Sequence, residues 1–361
     1  QARGIHSPQP AGPGILAETV AAGAACGNVI GGDLVTGSAL ALVLGSAVVH
    51  ATWNLAAKKS SGGIAYVYLV GVCATVFWGP LGIWLMLSGR AIAPGASAAA
   101  AFMYIAGSSL LHLGYFSALL KGYQCGDLSL VYPLARGTGP FLSTVLAIIL
   151  YGERPSVPAF LGAMLIAAGA FFLAGNGESC DDEGHGAVPG SKQSTDAQAI
   201  SSGPEFDSAG RATAGKNAAV FYGLLTGVFI AAYTLWDKRA LSLGGVNPLF
   251  LEWGTCLGRF VMLGPWFLLT PTGRASLAGA WRDQRRPAVI VALLSPGSYM
   301  MVLSALAVSP VTYIAPAREI SILLGTLAGS RLLMEGDKRL RARRLAAATA
   351  MAIGVAALAI W

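Results

Sequence analysis

Long apolar segments follow one another along almost the whole chain, and they constrain its fold more than any other feature. An α-helix rises about 1.5 Å per residue, so about 20 apolar residues cross the roughly 30 Å hydrocarbon core of a bilayer. Lipid offers the backbone no hydrogen-bond partner, so each crossing segment must be helical. We therefore predict an all-α membrane protein with ten transmembrane helices, near residues 39–57, 64–87, 97–120, 128–151, 156–175, 217–236, 248–270, 288–308, 311–334 and 344–361.

The composition supports a membrane protein and excludes several other classes. Of 361 residues, 55% are hydrophobic and 11% are charged, whereas soluble domains carry about 25% charged residues. That excludes a cytosolic enzyme, a nucleic-acid reader and a secreted disulfide scaffold. The net charge of +7 comes from short basic clusters between apolar segments, so the partner it indicates is the lipid bilayer and not nucleic acid.

A polar connection divides the chain into two halves. Residues 176–216 hold seven of the seventeen acidic residues and are rich in Gly and Ser, so we predict a disordered linker there. The halves are residues 39–175 and 217–361, with five predicted helices in each, and residues 1–38 form an N-terminal extension.

The two halves share an internal similarity. Arg136 and Arg318 are 182 residues apart, as are Glu153 and Glu335, and the pair Trp53-Asn54 precedes Trp236-Asp237 by 183 residues. Five is an odd number of crossings, so the second half must enter the membrane from the opposite side. The pattern therefore predicts two inverted five-helix repeats, an architecture of many secondary transporters.

Four stretches resemble a known family: HATWNLAAKKS, GDLSLVYPLARGTGP, GERPS and YIAPARE…LLMEGD. In order and spacing they are similar to the drug/metabolite transporter superfamily, EamA type, over about residues 35–175 and 217–361. The resemblance implies ten helices in two inverted repeats. Within the superfamily, the HATWN…KKS stretch resembles a subgroup associated with phosphonate utilisation.

Charged side chains inside spans are costly, so each is a candidate functional residue. We predict that Arg136 and Arg318 face a central cavity and bind an anionic group, with Pro133 and Pro316 loosening the adjacent helices. The alternative is that Arg318 pairs with Glu319 or Glu252, while Arg136 extends to the interface.

Other polar residues in the spans have two interpretations each. Glu252 and Arg259 lie two turns apart on one helix face, so they form an ion pair or line the cavity, and Glu252 is the candidate coupling carboxylate. His50 and His112 either relay protons or hydrogen-bond a neighbouring helix. Aromatic residues of the spans would form a ligand-binding wall or an interfacial belt, namely Trp53, Tyr115, Tyr132, Tyr233, Trp236, Trp253 and Tyr299. Asn54, beside Trp53, is a further candidate for substrate binding.

Two further features indicate structure and not binding. Glu153 and Glu335 follow apolar helices and precede basic residues, so we interpret them as helix-end charges at the interface with a structural role, such as closing a gate. The pairs Gly223/Gly227, Gly254/Gly258 and Gly325/Gly329 have the spacing that lets helices approach closely in lipid.

Nucleotide-binding and hydrolytic motifs are missing from the sequence, among them G-x-x-x-x-G-K-[ST], H-E-x-x-H and G-x-S-x-G. We therefore predict no catalytic residue, no cofactor and no metal site. The function we predict is secondary transport of a small polar metabolite by alternating access, with an anionic or zwitterionic substrate such as a phosphonate or amino acid. A passive channel and a non-transporting scaffold are the alternatives. The sequence leaves open whether the protein forms a homodimer.

The orientation in the membrane has two conflicting indications. Connections 1–2, 3–4, 5–6, 7–8 and 9–10 hold fifteen Lys and Arg residues, against five on the other side, which places both termini outside. The family resemblance implies both termini inside, in what would be a bacterial plasma membrane. An additional span at residues 15–31 would place the amino terminus inside.

Overall fold

A computed structural model describes residues 37–57, 63–125, 128–174, 208–322, 324 and 338–360. These residues are almost entirely helical, and a single isolated bridge, between Ile92 and Val246, is the extended pairing among them. The helices are α1 (Gly37–Ala57), α2 (Ile64–Leu87), α3 (Ala98–Cys125), α4 (Leu128–Tyr151), α5 (Val157–Ala174), α6 (Ser208–Ser242), α7 (Pro248–Leu269), α8 (Pro271–Val308), α9 (Val311–Ala317) and α10 (Lys338–Ile360).

Five helices in the described part of the chain are long and apolar enough to cross a membrane. They are the segments Ile64–Leu87, Ala98–Cys125, Leu134–Tyr151, Asn217–Ser242 and Pro271–Val308. Shorter apolar helices occur at Gly37–Trp53, Val157–Gly169 and Thr349–Leu358. Large apolar side chains on the outer surface, such as Phe102 at 74% and Val76 at 72% exposure, need a lipid environment. These are the properties of an integral membrane protein.

Helix boundaries correct three of the predicted segments. The linker predicted at 176–216 is wrong for 208–216, because α6 already begins at Ser208, where an Ala-rich sequence favours a helix. The span predicted at 217–236 is too short, since α6 continues to Ser242. The span predicted at 288–308 starts too late, since α8 begins at Pro271.

One further predicted span differs from the structure, and several predicted segments lie outside the described residues. The span predicted at 311–334 is interrupted, because α9 ends at Ala317. Residues 175–207, 325–337 and 1–36, with the additional span considered at 15–31, lie outside the described residues.

Helices from the two halves pack against one another. α1 packs on α8, and α3 packs on α6; α2 contacts both α7 and α8, and α3 also contacts α7. α4 packs on α6 and α9, while α5 packs on α10. The core is formed mainly by small and branched apolar side chains, among them Ala147, Leu303 and Leu306, each 0% exposed.

Glycine makes the closest of these helix contacts possible. Gly223 and Gly227 of α6 lie against Leu134 and Thr138 of α4. Gly254 and Gly258 of α7 lie in the same way against Ile105 and Ser109 of α3. Both predicted pairs are therefore confirmed as packing positions, and Gly325/Gly329 lies outside the described residues.

Substitution of Gly162 tests this packing. A Cβ at Gly162 of α5 would lie 2.7 Å from the backbone oxygen of Gly354 on α10, whereas one at Gly71 of α2 would meet no atom within 4 Å. We expect Gly162→Ala to lower the free energy of unfolding by about 1–3 kcal/mol, as overpacking does. The matched control, Gly71→Ala, should change it by less than about 1 kcal/mol in the stabilising direction. Thermal unfolding in detergent measures both, and equal effects would contradict the packing.

Candidate functional site

A cavity of about 360 Å³ lies between the two halves. Helices α1 to α4 and α6 to α8, together with the turn after α9, contribute its described lining, whereas α5 and α10 pack against each other elsewhere. Most of its wall is aromatic or aliphatic, with Tyr66, Tyr68 and Phe260 among the contributors. The charged side chains in this lining are Arg136, Arg259, Arg318 and Glu252.

Arg136, Arg318, Glu319 and His50 form one group, which we name the Glu319 cluster. Arg136 Nη1 lies 3.5 Å from Glu319 Oε1, and Arg318 Nε lies 3.6 Å from the same oxygen. Arg136 Nη2 also donates to His50 Nε2 at 2.9 Å, and because a guanidinium can only donate, the imidazole accepts there. Glu319 is 0% exposed, so two cations share one fully buried carboxylate.

The Glu319 cluster keeps an excess of positive charge at the cavity wall. Two guanidinium groups against one carboxylate leave one surplus positive charge. Nε and Nη2 of Arg318 make no hydrogen bond to any residue that the structure describes. A buried donor without an acceptor costs about 1–3 kcal/mol, and more when charged. An anionic group in the cavity would supply the second negative charge.

Both sequence interpretations of these arginines hold in part. Arg318 does pair with Glu319, as the structural alternative required, and it also lines the cavity, as the binding hypothesis required. Arg136 lies in the cavity wall and contacts Glu319 across the two halves. It does not extend away to an interface.

A break in the helix places Arg318 and Glu319. α9 ends at Ala317, and the backbone then tightens: Glu319 N donates to Pro316 O at 2.9 Å, and Ile322 N donates to Glu319 O at 3.0 Å. Such i to i−3 bonds belong to a 3₁₀-type turn. The predicted loosening next to Pro316 is therefore confirmed. The one predicted next to Pro133 is wrong, because α4 runs through that position without a break.

Glu153 holds the start of α9. Its two carboxylate oxygens each accept one backbone N–H, from Val311 and Thr312, both at 2.9 Å. A carboxylate at a helix N-terminus satisfies donors that have no partner within the helix and complements the helix dipole. The predicted structural role of Glu153 is confirmed, and its counterpart Glu335 lies outside the described residues.

A second charged group lies on α7. Arg259 Nη2 is 3.7 Å from Glu252 Oε1 and 3.1 Å from Cys256 Sγ, and its guanidinium lies 5.6 Å from the centre of the Phe116 ring. The predicted ion pair between Glu252 and Arg259 is confirmed. All three polar members line the cavity, so they face it together with the Glu319 cluster.

Asp237 is the buried carboxylate that the sequence analysis missed. It is 0% exposed, and Tyr299, which lines the cavity, donates its hydroxyl to Asp237 Oδ2 at 2.7 Å. Asp237 Oδ1 has no hydrogen-bond partner among the described residues. Asp237 stands at the position equivalent to Asn54, which was the available signal. The charges that follow it, Lys238 and Arg239, suggested the end of the helix instead.

His112 sits beside this pair. Its ring stacks on Tyr233 with centroids 4.2 Å apart and meets Tyr299 edge-on at 5.6 Å. Its Nδ1 lies 2.9 Å from Ser108 O in the preceding turn of α3. His112 therefore belongs to the cavity wall, with its hydrogen bond directed to its own helix.

The structure separates the predicted aromatic residues into two groups. Trp53 and Tyr115 line the cavity, and Trp53 meets His50 edge-on at 4.7 Å. Trp236 and Trp253 do not line it: their indole nitrogens donate to Tyr104 O and Thr75 O, and their rings pack on Gly107 and Gly82. Trp236 therefore packs α6 against α3, and Trp253 packs α7 against α2. The side chains of Asn54 and Tyr132 lie outside the described set.

Comparisons with known proteins address the fold. No family model matches the chain, and no curated protein matches it. Solved structures do match. One of them, a crystal structure described only as that of a protein, superposes with a TM-score of 0.56 at 16% identity, covering 88% of this chain and 96% of that one. The likeness shows that this arrangement of helices occurs in an experimentally determined protein.

The Asp237–Tyr299 contact is open to a direct test. Tyr299→Phe removes the hydroxyl that Asp237 Oδ2 accepts from, and we expect it to lower the free energy of unfolding by about 1–3 kcal/mol. In a double-mutant cycle, Asp237→Asn with Tyr299→Phe should cost less than the sum of the two single substitutions. Thermal unfolding of the four proteins measures the cycle, and strict additivity would contradict the contact.

Proposed function

We propose that this protein is a secondary transporter of EamA type, in the drug/metabolite transporter superfamily, which moves a small anionic or zwitterionic metabolite by alternating access. The observation that carries the proposal is that the guanidinium groups of Arg136 and Arg318 share one carboxylate, that of Glu319, in the wall of a cavity between the halves. A buried charge is costly unless a partner offsets it. A bound anionic substrate would offset the surplus positive charge of these two arginines.

The packing of the helices supports two inverted repeats of five spans. If α1 to α5 correspond to α6 to α10, then the contact of α1 with α8 has its counterpart in that of α6 with α3. Likewise, the contact of α2 with α8 corresponds to that of α7 with α3. The pairs α2·α7, α4·α9 and α5·α10 are each their own counterpart. These contacts are related to one another as a two-fold axis between the halves requires.

The size and chemistry of the cavity limit the substrate. About 360 Å³ is at the small end of ligand sites, which range over about 300–1,000 Å³. Its mainly apolar wall suits a compact organic body, and the Glu319 cluster suits an acidic group such as a carboxylate or phosphonate. Glu252, facing the same cavity, could accept a bond from an amine. An amino acid or a phosphonate meets these requirements.

The alternatives fit the described residues less well. A scaffold protein requires all buried charges to pair off with no central opening, yet Arg136 and Arg318 share a single carboxylate beside a cavity. A passive channel requires polar side chains along whole helices, but most of this lining is apolar. No enzymatic activity and no cofactor enters the proposal. The membrane we propose is the bacterial plasma membrane.

Ligand binding tests the proposal. Purified protein is screened by thermal shift against amino acids and alkylphosphonates, because specific binding raises the melting temperature by mass action. A charge-assisted hydrogen bond contributes about 1.5–3 kcal/mol, so we expect Arg318→Gln and Arg136→Gln to weaken binding of a hit about 10- to 100-fold. The same substitutions should abolish its uptake into proteoliposomes.

Arg282→Gln is the matched control for this experiment. The Arg282 side chain is 81% exposed and pairs only with its neighbour Asp283 among the described residues, so its removal should leave affinity and uptake unchanged. If no anionic or zwitterionic compound stabilised the protein, or if the arginine variants bound and transported as well as the control, the proposal would be wrong.

A further inference from the structure

The first part of α8, residues 271–287, carries all the charged residues of that helix and precedes its apolar part. α8 has 38 residues, about 57 Å at 1.5 Å per residue, which is far more than the roughly 30 Å needed. Thr270, the single residue between α7 and α8, caps this part by accepting from Gly273 N at 3.0 Å. Pro287 lies at its end, inside the helix. We name residues 271–287 the α8 entry segment.

One face of the α8 entry segment packs against the protein. Gly273 and Ala280 are buried, and Ala280 and Leu277 pack with Tyr66 and Leu69 of α2. These positions recur every three or four residues, as on one face of a helix. The segment therefore lies across the beginning of α2, at the level where that helix enters the membrane.

The exposed side of the segment is basic and aromatic. Arg274, Arg282, Arg285 and Arg286 are exposed, and Asp283 is the single acid in the segment. Trp281 is 49% exposed. Arginine and tryptophan on the outer face of a helix beside a membrane are typical of an element that lies in the headgroup region and attracts anionic lipids.

An apolar groove opens beside this face. Its volume is about 380 Å³, and it lies between Leu69, Val72 and Cys73 of α2 and four residues of the entry segment, namely Arg274, Leu277, Ala278 and Trp281. Arg274 is the one charged residue of its lining. Val76, one turn beyond Val72, is 72% exposed, so exposed apolar surface of α2 adjoins the groove.

We propose that this groove is a binding site for an anionic phospholipid. One acyl chain lies along Leu69, Val72 and Cys73, and the phosphate of the headgroup accepts from the Arg274 guanidinium. Trp281 covers the junction between chain and headgroup, and Arg285 lies on the same helix face as Arg274 and Trp281, since positions i, i+7 and i+11 share a face. An apolar groove that ends at a cation, near the start of a membrane-spanning helix, matches the chemistry of one lipid molecule. This site is independent of the transport proposal.

Lipid titration tests this site. The full chain in a neutral detergent is titrated with dioleoylphosphatidylglycerol or with dioleoylphosphatidylcholine, and the melting temperature and the lipid adducts in native mass spectra are followed. We expect the anionic lipid to be retained and to stabilise more than the zwitterionic one. A basic residue near the surface contributes about 1 kcal/mol to anionic lipid binding, which is about fivefold in affinity, so Arg274→Gln should weaken phosphatidylglycerol binding about fivefold and Arg274→Lys should keep it.

Arg90→Gln is the charge-matched control. Arg90 follows the far end of α2, with its guanidinium 5.3 Å from the Trp84 ring centre, so its substitution should leave phosphatidylglycerol binding unchanged. Val72→Trp, which fills the groove, should abolish the retained adduct with Arg274 intact. Equal binding of both lipids, an Arg274→Gln protein as good as the parent, or occupancy of the groove by a second copy of the chain would overturn the proposal.

Discussion

Glu319 is the carboxylate on which the buried charge of this protein depends. It compensates Arg136 from the first half and its own neighbour Arg318 from the second, at 3.5 and 3.6 Å. Removing a charge from water costs several kcal/mol even in a relaxed protein, and a partner must offset it. One carboxylate offsets two guanidinium groups only in part, so the wall of the cavity carries a surplus positive charge that favours an anion. The same contact joins the two halves at the wall of the cavity.

The Glu319 cluster needs a backbone that departs from a regular helix. α9 is short, and the turn after Pro316 turns Arg318 toward the cavity while Glu319 stays fully buried. Glu153 holds the other end of α9 by accepting two of its first N–H groups. Discontinuous helices in a membrane protein require such compensation, because lipid cannot satisfy the freed backbone groups. Glycine positions such as Gly227 and Gly258 bring the surrounding helices close enough to enclose the site.

Sequence reasoning predicted most of the helices and the main charged residues, because apolar length and the cost of a buried charge are local properties. The register of 182 residues correctly singled out Arg136 and Arg318 as cavity residues. It could not show that they share Glu319, since that depends on how α4 meets the turn after α9. Asp237 was missed because three consecutive charged residues usually end a span. In the structure the Tyr299 hydroxyl donates to the buried Asp237 carboxylate, and Lys238 donates to the carbonyls of Leu306 and Ser309. Trp236 and Trp253 were ambiguous for a related reason: an indole serves equally well in a binding wall and in a helix contact, and only the positions of Gly107 and Gly82 decide.

The most direct test of the central claim is the reactivity of a cysteine placed in the cavity of an otherwise cysteine-free protein. Ser295→Cys puts the thiol in the cavity wall, and Leu306→Cys puts one in the core, where Leu306 is 0% exposed. We predict that a water-soluble anionic methanethiosulfonate modifies position 295 and leaves position 306 unmodified. At position 295 the anionic reagent should also react faster than a cationic methanethiosulfonate, because the two positive charges of Arg136 and Arg318 exceed the single negative charge of Glu319. Equal resistance at both positions, or a faster cationic reagent, would contradict a wet, positively charged cavity between the halves.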